Sequence, residues 1–373
     1  MNYYAFIEKY KNTSIKELPL TEVDILIFSQ LAYLSLTNFD FSKNNKYSLQ
    51  ELADNLDRSK IKESIIAQYH AMQLLDTIKN IKRYANILVA DYEYSYDENS
   101  QFGALSFLIP SAPTVIAFEG TDCKLSGWKE DAILSYKYPT ISQELAGKYI
   151  EKVISKEKTS VIVCGHSKGG NLALVGAMRT TLLKKFRIKT IYSFDGPGLR
   201  EKEFNSLNYK MVKNRLHNII PSESLIGVLF NQENLEVVAS DAKGIMQHAA
   251  NSWQVDDTKL LRTKKSTVSD NLDKAISNWL DHYNLEEREL IIEQVFNLFY
   301  KCGLKNVNDL TDNHLKGLFE VLKASKELDN ETKVVILNCL KLLSTTISKT
   351  LFNIEIAKIK KMLKISNKPT ESN

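Results

Sequence analysis

Ser167 stands at the centre of Gly165-His166-Ser167-Lys168-Gly169, between the apolar run Val161 to Cys164 and the small or aliphatic residues Asn171 to Met178. Val161 to Cys164 reads as a buried parallel strand and the residues after Gly170 as a helix packed on a sheet. A serine in a Gly-x-Ser-x-Gly turn between such elements is a nucleophile elbow, which holds Oγ at the top of the sheet. So tight a turn needs neighbours without Cβ atoms, and Gly165, Gly169 and Gly170 supply them. A glycine-rich turn can also cradle phosphate, but that site requires a Lys-Ser/Thr pair after the glycines. Asn171 and Leu172 follow instead. A purely structural turn is the plainer alternative.

A serine hydroxyl is a weak nucleophile at neutral pH, so acyl transfer needs a base to take its proton and an acid to orient that base. Where this elbow sits in a sheet, the chain order is serine, acid, histidine. His217, His248, His282 and His314 follow Ser167. His282 and His314 lie in a helical C-terminal region, and His217 falls inside an expected strand as a packed residue. His248, in GIMQHAANSW, occupies a loop and is the expected base. Two acids remain open. Asp195 ends the strand after the nucleophile helix, where strand ends point into the crevice, and Gly-Pro-Gly turns the chain sharply after it. Glu223, in the turn after the next strand, is the alternative. Asp195 is preferred; as an ordinary turn-capping aspartate it has a plainer reading.

The tetrahedral intermediate needs two N–H donors for its oxyanion. Lys168, the residue after the nucleophile, would supply one. Thr121, in Phe118-Glu119-Gly120-Thr121-Asp122 at the end of an earlier strand, could supply the second from its N–H and also its hydroxyl. A plain Gly-Thr-Asp turn is the alternative. The Lys168 side chain reads as solvated on the first helical turn.

These residues need a scaffold. Thr21 caps an expected helix through Val23, Ile25, Leu26, Phe28, Leu31 and Leu34, and a second periodic stretch covers Ile61 to Ile81. Asn86 to Tyr96 and Gly103 to Ile109 read as an antiparallel pair on the edge of a larger sheet. Strands at 114–118, 160–164 and 190–194 then alternate with helices at 142–154 and 167–183, and 215–220 and 235–239 close the series. Such alternation predicts an α/β fold with a mostly parallel sheet covered by helices on both faces. From Asp270 to Ile365 there is no proline and only two glycines, and apolar residues recur at helical spacing. The expected division is 1–260 for the α/β domain with its N-terminal helical segment and 261–373 for a C-terminal all-helical region.

The chain has 373 residues, 43% of them apolar, and a formal charge of +4, so neither disorder nor a nucleic-acid partner is indicated. The basic tail lacks the aromatic interleaving of a nucleic-acid binder. Charged residues stand in MNYYAFIEKYKNTSIKELPL where a signal peptide needs an apolar core, and no stretch reaches the roughly 18 apolar residues of a membrane span. Cys123, Cys164, Cys302 and Cys339 lack metal-ligand spacing and read as reduced. The expected location is cytoplasmic. No cofactor or metal is expected.

At these residues the chain resembles the α/β-hydrolase superfamily, and more closely the class 3 (fungal-type) lipases and a poorly characterised bacterial branch of lipase-like hydrolases. The matching segments are LTEVDILIFSQLAYL, FEGTD, Gly127-Trp128-Lys129-Glu130-Asp131, GHSKGGNLA, FDGPG, PSESLIG and the loop bearing His248 and Trp253, over residues 3 to 255. The resemblance implies an oxyanion role for Thr121 and a lid at Cys123 to Ile133. Glu119 departs from the usual arginine, and Pro-Ser-Glu-Ser stands where those lipases carry their aspartate. The implied activity is a serine ester hydrolase cleaving acyl esters through an acyl-enzyme; a catalytically silent scaffold for protein interactions is the alternative. Trp128, Leu125, Ile133 and Leu134 would give the lid an apolar inner face suited to a lipid or acyl ester. The segment LFNIEIAKIKKMLKIS suggests transient contact with a membrane surface. Acyl-chain length and oligomeric state are not encoded in any motif.

Overall fold

The computed structural model describes residues 1–305 except 61–65, 98–99, 123, 302 and 304. Cys123, Cys302, Cys339, His314, the start of the Ile61 to Ile81 stretch, the basic C-terminal segment and most of the expected helical region lie outside the described residues. Helices are α1 Tyr3–Tyr10, α2 Glu22–Leu31, α3 Leu49–Asn55, α4 Ile66–Ile78, α5 Leu125–Ile133, α6 Ile141–Glu157, α7 Lys168–Arg179, α8 Leu182–Lys185, α9 Glu201–Phe204, α10 Leu207–Val212, α11 Thr267–His282 and α12 Leu285–Lys301. Strands are β1 Tyr47–Ser48, β2 Leu88–Tyr96, β3 Gln101–Leu108, β4 Thr114–Phe118, β5 Val161–His166, β6 Ile188–Phe194, β7 Leu216–Pro221 and β8 Leu235–Val238, with a small hairpin of β9 Val255–Asp256 and β10 Lys259–Leu260.

The eight strands lie side by side in chain order. β1 to β4 pair antiparallel, and β4 to β8 pair parallel. Alternate residues along each strand feed two cores, as a sheet of period two requires. Val115 and Ala117 join Cys164, Phe194 and Ile219 beneath α1 to α4 and Trp253. Ile116 and Phe118 join Val161, Val163 and Ile191 beneath α6 and α7. This is the mostly parallel α/β sheet, covered on both faces, expected from the alternation. The expected helix 167–183 is shorter: it ends at Arg179, and α8 is a separate turn.

By internal contacts the described residues fall into two compact units, one within 1–122 and 126–278 and the other comprising 124–125 and those from 279 to 305. In the second, Trp279 packs on Tyr283 and Phe296 on Phe299, with ring centroids 5.5 and 5.6 Å apart. No described helix is long and apolar enough to cross a membrane.

α2 starts where the sequence places it. Thr21 Oγ1 accepts from Asp24 N at 3.2 Å, and Asp24 Oδ2 accepts from Thr21 N at 2.8 Å, a reciprocal cap. Asp24 also accepts from Arg83 Nε at 2.8 Å and Tyr84 Oη at 2.9 Å. Both charged side chains are fully buried, so they are held by each other, by these polar partners and by the Thr13, Leu18 and Pro19 carbonyls that accept from Arg83. Removing one partner strands the other charge in the core. Asp24→Ala is therefore expected to cost about 3 to 5 kcal/mol in denaturant unfolding; a loss within experimental error would contradict that.

Candidate active site

β5 ends at His166 and α7 begins at Lys168, so Ser167 alone makes the turn. Its backbone sits at φ 57°, ψ −132°, a conformation costing on the order of 1–3 kcal/mol that persists only where the surroundings hold it. Ser167 N donates to Phe194 O and Gly170 N to Ser167 O, both at 2.9 Å. The glycines act sterically: a Cβ on Gly165 would strike the Gly169 carbonyl, and one on Gly169 would strike the Phe118 carbonyl. β4, β5 and α7 can converge only because those atoms are missing. The Ser167 hydroxyl makes no hydrogen bond among the described residues.

Asp195 directly follows β6 beside the elbow, with φ 49° and no exposed surface. Its Oδ2 lies 2.6 Å from His248 Nδ1. Its Oδ1 accepts from Ser224 Oγ at 2.5 Å and Gly227 N at 3.0 Å. The carboxylate is thereby fixed on both oxygens, and an acceptor at Nδ1 leaves His248 Nε2 as the free ring nitrogen. That nitrogen has no hydrogen-bond partner among the described residues. Glu223 is turned elsewhere: it accepts from Gly244 N and from Gln247 Nε2, the latter at 3.1 Å, and so steadies the 3₁₀ turn Gly244–His248. His217 is a packed residue on β7, stacked on Tyr192 and 2.6 Å from Glu236.

His166 adds a contact that the sequence does not announce. Its ring lies 4.6 Å from that of His248. His166 Nε2 is 2.8 Å from His248 O. A carbonyl only accepts, so Nε2 carries the proton and Nδ1 accepts from Tyr33 Oη at 2.9 Å. Tyr33 in turn receives the Gly120 N–H. Burial, then the neighbouring His248, pushes the His166 imidazole down to about 3, so it stays neutral beside His248. Gly120, Tyr33, His166 and the His248 carbonyl form one relay from the β4 turn to the His248 turn. Trp253 Nε1, donating to Gln247 O at 2.7 Å, closes the other side.

Lys168 and Thr121 flank the elbow, and neither backbone N–H has a partner among the described residues. The Thr121 hydroxyl is committed: it donates to Asp131 Oδ2 at 2.6 Å, leaving the N–H as its free donor. The Lys168 side chain is buried rather than solvated, with Nζ 2.7 Å from Gln101 O and 3.1 Å from Glu130 Oε2. Burial lowers its pKa, but Glu130 and Asp131 more than reverse this and hold the ammonium charged. The part of α5 beyond Leu125 thus turns carboxylates inward as well as the apolar Ile133. Tertiary packing places these carboxylates against Lys168, a pairing that helical spacing cannot disclose. Burial pushes Asp131 from 3.8 up to about 6, opposed by Lys168 and the Thr121 hydroxyl. Its Oδ1 is buried without a hydrogen bond.

Of the residues singled out in the sequence, His248 meets Asp195 and not Glu223, and Ser167 shares their rim through the Phe194 contact. Tyr33, Ser224 and Asp131 contribute without having been singled out. Tyr33 lies 133 residues from His166 on an otherwise apolar segment. Asp131, in Gly-Trp-Lys-Glu-Asp, carries the only local signal, a carboxylate on a helix next to the Thr121 turn. Among the described residues no group of His, Cys, Asp or Glu is arranged to hold a metal ion.

Between 3.8 and about 6, folded Asp131 keeps a proton that the unfolded chain has lost. Its contribution to stability therefore falls as pH rises through that window and is constant above it. Asp131→Asn is expected to gain stability relative to wild type from pH 3.8 to about 6 and then level off. Thermal melts across pH check this, and a difference that does not vary with pH would contradict it.

Among the curated proteins none matches the chain. The crystal structure of M37 lipase aligns over 70% of this chain and 80% of that one, with 16% identity and a TM-score of 0.37. The model of the Mbeg1-like family matches residues 78–297, more than half of the chain, and takes in β2 to β8, the elbow, Asp195 and His248. The chain belongs to the Mbeg1-like family.

Proposed function

We propose that the protein is a serine hydrolase of the lipase or esterase type, cleaving acyl esters through an acyl-enzyme intermediate. The observation that carries this reading is the 2.6 Å contact between His248 Nδ1 and Asp195 Oδ2, on the rim where the strained Ser167 turn ends β5. Ser167 Oγ attacks the ester carbonyl as His248 Nε2 takes its proton. The imidazolium is stabilised by Asp195, and the proton passes to the leaving alcohol. The N–H groups of Lys168 and Thr121 receive the oxyanion. Water, deprotonated by the same imidazole, then adds to the acyl-enzyme and releases the acid, returning the proton to Ser167. An acyl ester or lipid is the substrate class that this sequence of steps fits.

A fluorescent fluorophosphonate is expected to label the wild-type chain and not Ser167→Ala. No labelling under conditions that modify a control esterase would favour the silent scaffold. Asp195→Asn is expected to reduce kcat by about 10⁴ through loss of the correct His248 tautomer, while Glu223→Gln, which only loosens the turn, reduces it less than about tenfold. Equal losses in the two variants would contradict the assignment of the acid. Tyr33→Phe removes the donor that fixes His166 and is expected to lower kcat about tenfold with KM little changed. A rise in KM alone would place Tyr33 in substrate binding instead.

A further inference from the structure

At the end of α7 away from Ser167, the surface carries large apolar side chains that no other described part of the chain covers. Leu183 is 83% exposed, Leu207 77% and Phe186 71%. Leu182 and Met211 flank them at 54% and 39%. They belong to one surface, because α8 and α10 are stitched together: Lys185 Nζ donates to Asn208 Oδ1 at 3.0 Å, and Arg215 bridges Lys185 O and Met211 O at 2.7 Å each. Exposure this high means side chains standing out from the surface singly, not lining a groove.

The exposed charges from 182 to 215 are mostly positive. Arg187, Lys189, Lys202 and Lys210 have no ion-pair partner among the described residues, and Glu201 is the exposed acid near them. Protruding leucine and phenylalanine side chains beside unpaired cations suit a surface that offers acyl chains below a layer of negative charge. We infer that α8 and α10 form a docking face for an anionic phospholipid bilayer. A protein partner would meet isolated projecting side chains with a poor fit, whereas a bilayer accommodates them one by one. α7 spans twelve residues, about 18 Å, between this face and Ser167. The face is therefore distinct from the cleft.

The test is co-sedimentation of the full chain with phosphatidylcholine vesicles, with and without phosphatidylglycerol, a readout independent of catalysis. Wild type is expected to bind the phosphatidylglycerol vesicles at least about tenfold more tightly than phosphatidylcholine alone. Leu183→Ser with Phe186→Ser, and separately Lys189→Glu with Lys210→Glu, are expected to lose about tenfold or more. All four side chains are exposed, so unchanged thermal melts verify folding. Failure of wild type to bind either vesicle overturns the inference and points to an acidic protein surface. Binding by the variants equal to wild type also overturns it, because another segment then makes the contact.

Discussion

A carboxylate with no exposed surface must have every oxygen answered, and Asp195 is the group around which the rest of the site is arranged. One oxygen takes Ser224 and Gly227 from the turn after β7, and the other takes His248. An unanswered buried carboxylate would cost several kcal/mol or take up a proton. The β7 turn and the His248 turn are thus drawn to the end of β6 by the same demand. Glu223 and Trp253 finish the work from outside by holding Gln247. The imidazole direction therefore depends on segments far apart in the chain.

The opposite wall obeys the same rule with the signs reversed. Lys168 is buried one residue after Ser167 and is kept charged by Glu130 and Asp131. Glu130 also accepts from Gln101 N and Ser142, which ties α5 and α6 to the start of β3. Asp131 shares Lys168 with Glu130 and sits in the weaker position, which is why burial dominates its titration. Thr121, hydrogen-bonded to Asp131, inherits its orientation from that arrangement. The Lys168 and Thr121 N–H groups proposed to receive the oxyanion are set by a charge cluster, and the proposed base, His248, by a separate carboxylate.

Local features are legible in the sequence. The strands, the elbow and the Thr21 cap follow from alternation, glycine placement and capping chemistry, all of which act within a few residues. A strand position for His217 against a loop position for His248 separates the two histidines, and the tight Gly-Pro-Gly context favours Asp195 over Glu223. The features that are not legible depend on distant contacts. Tyr33 meets His166 only because α2 packs across β5, and a lone tyrosine on an apolar segment gives no sign of it. Lys168 reads as solvated because a lysine on a first helical turn usually is; its burial needs Glu130, brought in by α5. Leu182 and Leu183 read as the tail of the expected helix 167–183, and their exposure appears only once that helix ends at Arg179.

The central claim is that Ser167 carries the acyl group between two chemical steps. Acid quenching during turnover of an activated acyl ester, followed by intact-mass and peptide analysis, tests it most directly. The expected result is a mass increment equal to the acyl group on the peptide containing Ser167, absent when His248→Ala is treated in the same way. An acyl group found on another residue, or turnover with no covalent adduct trapped at any time, would contradict the account.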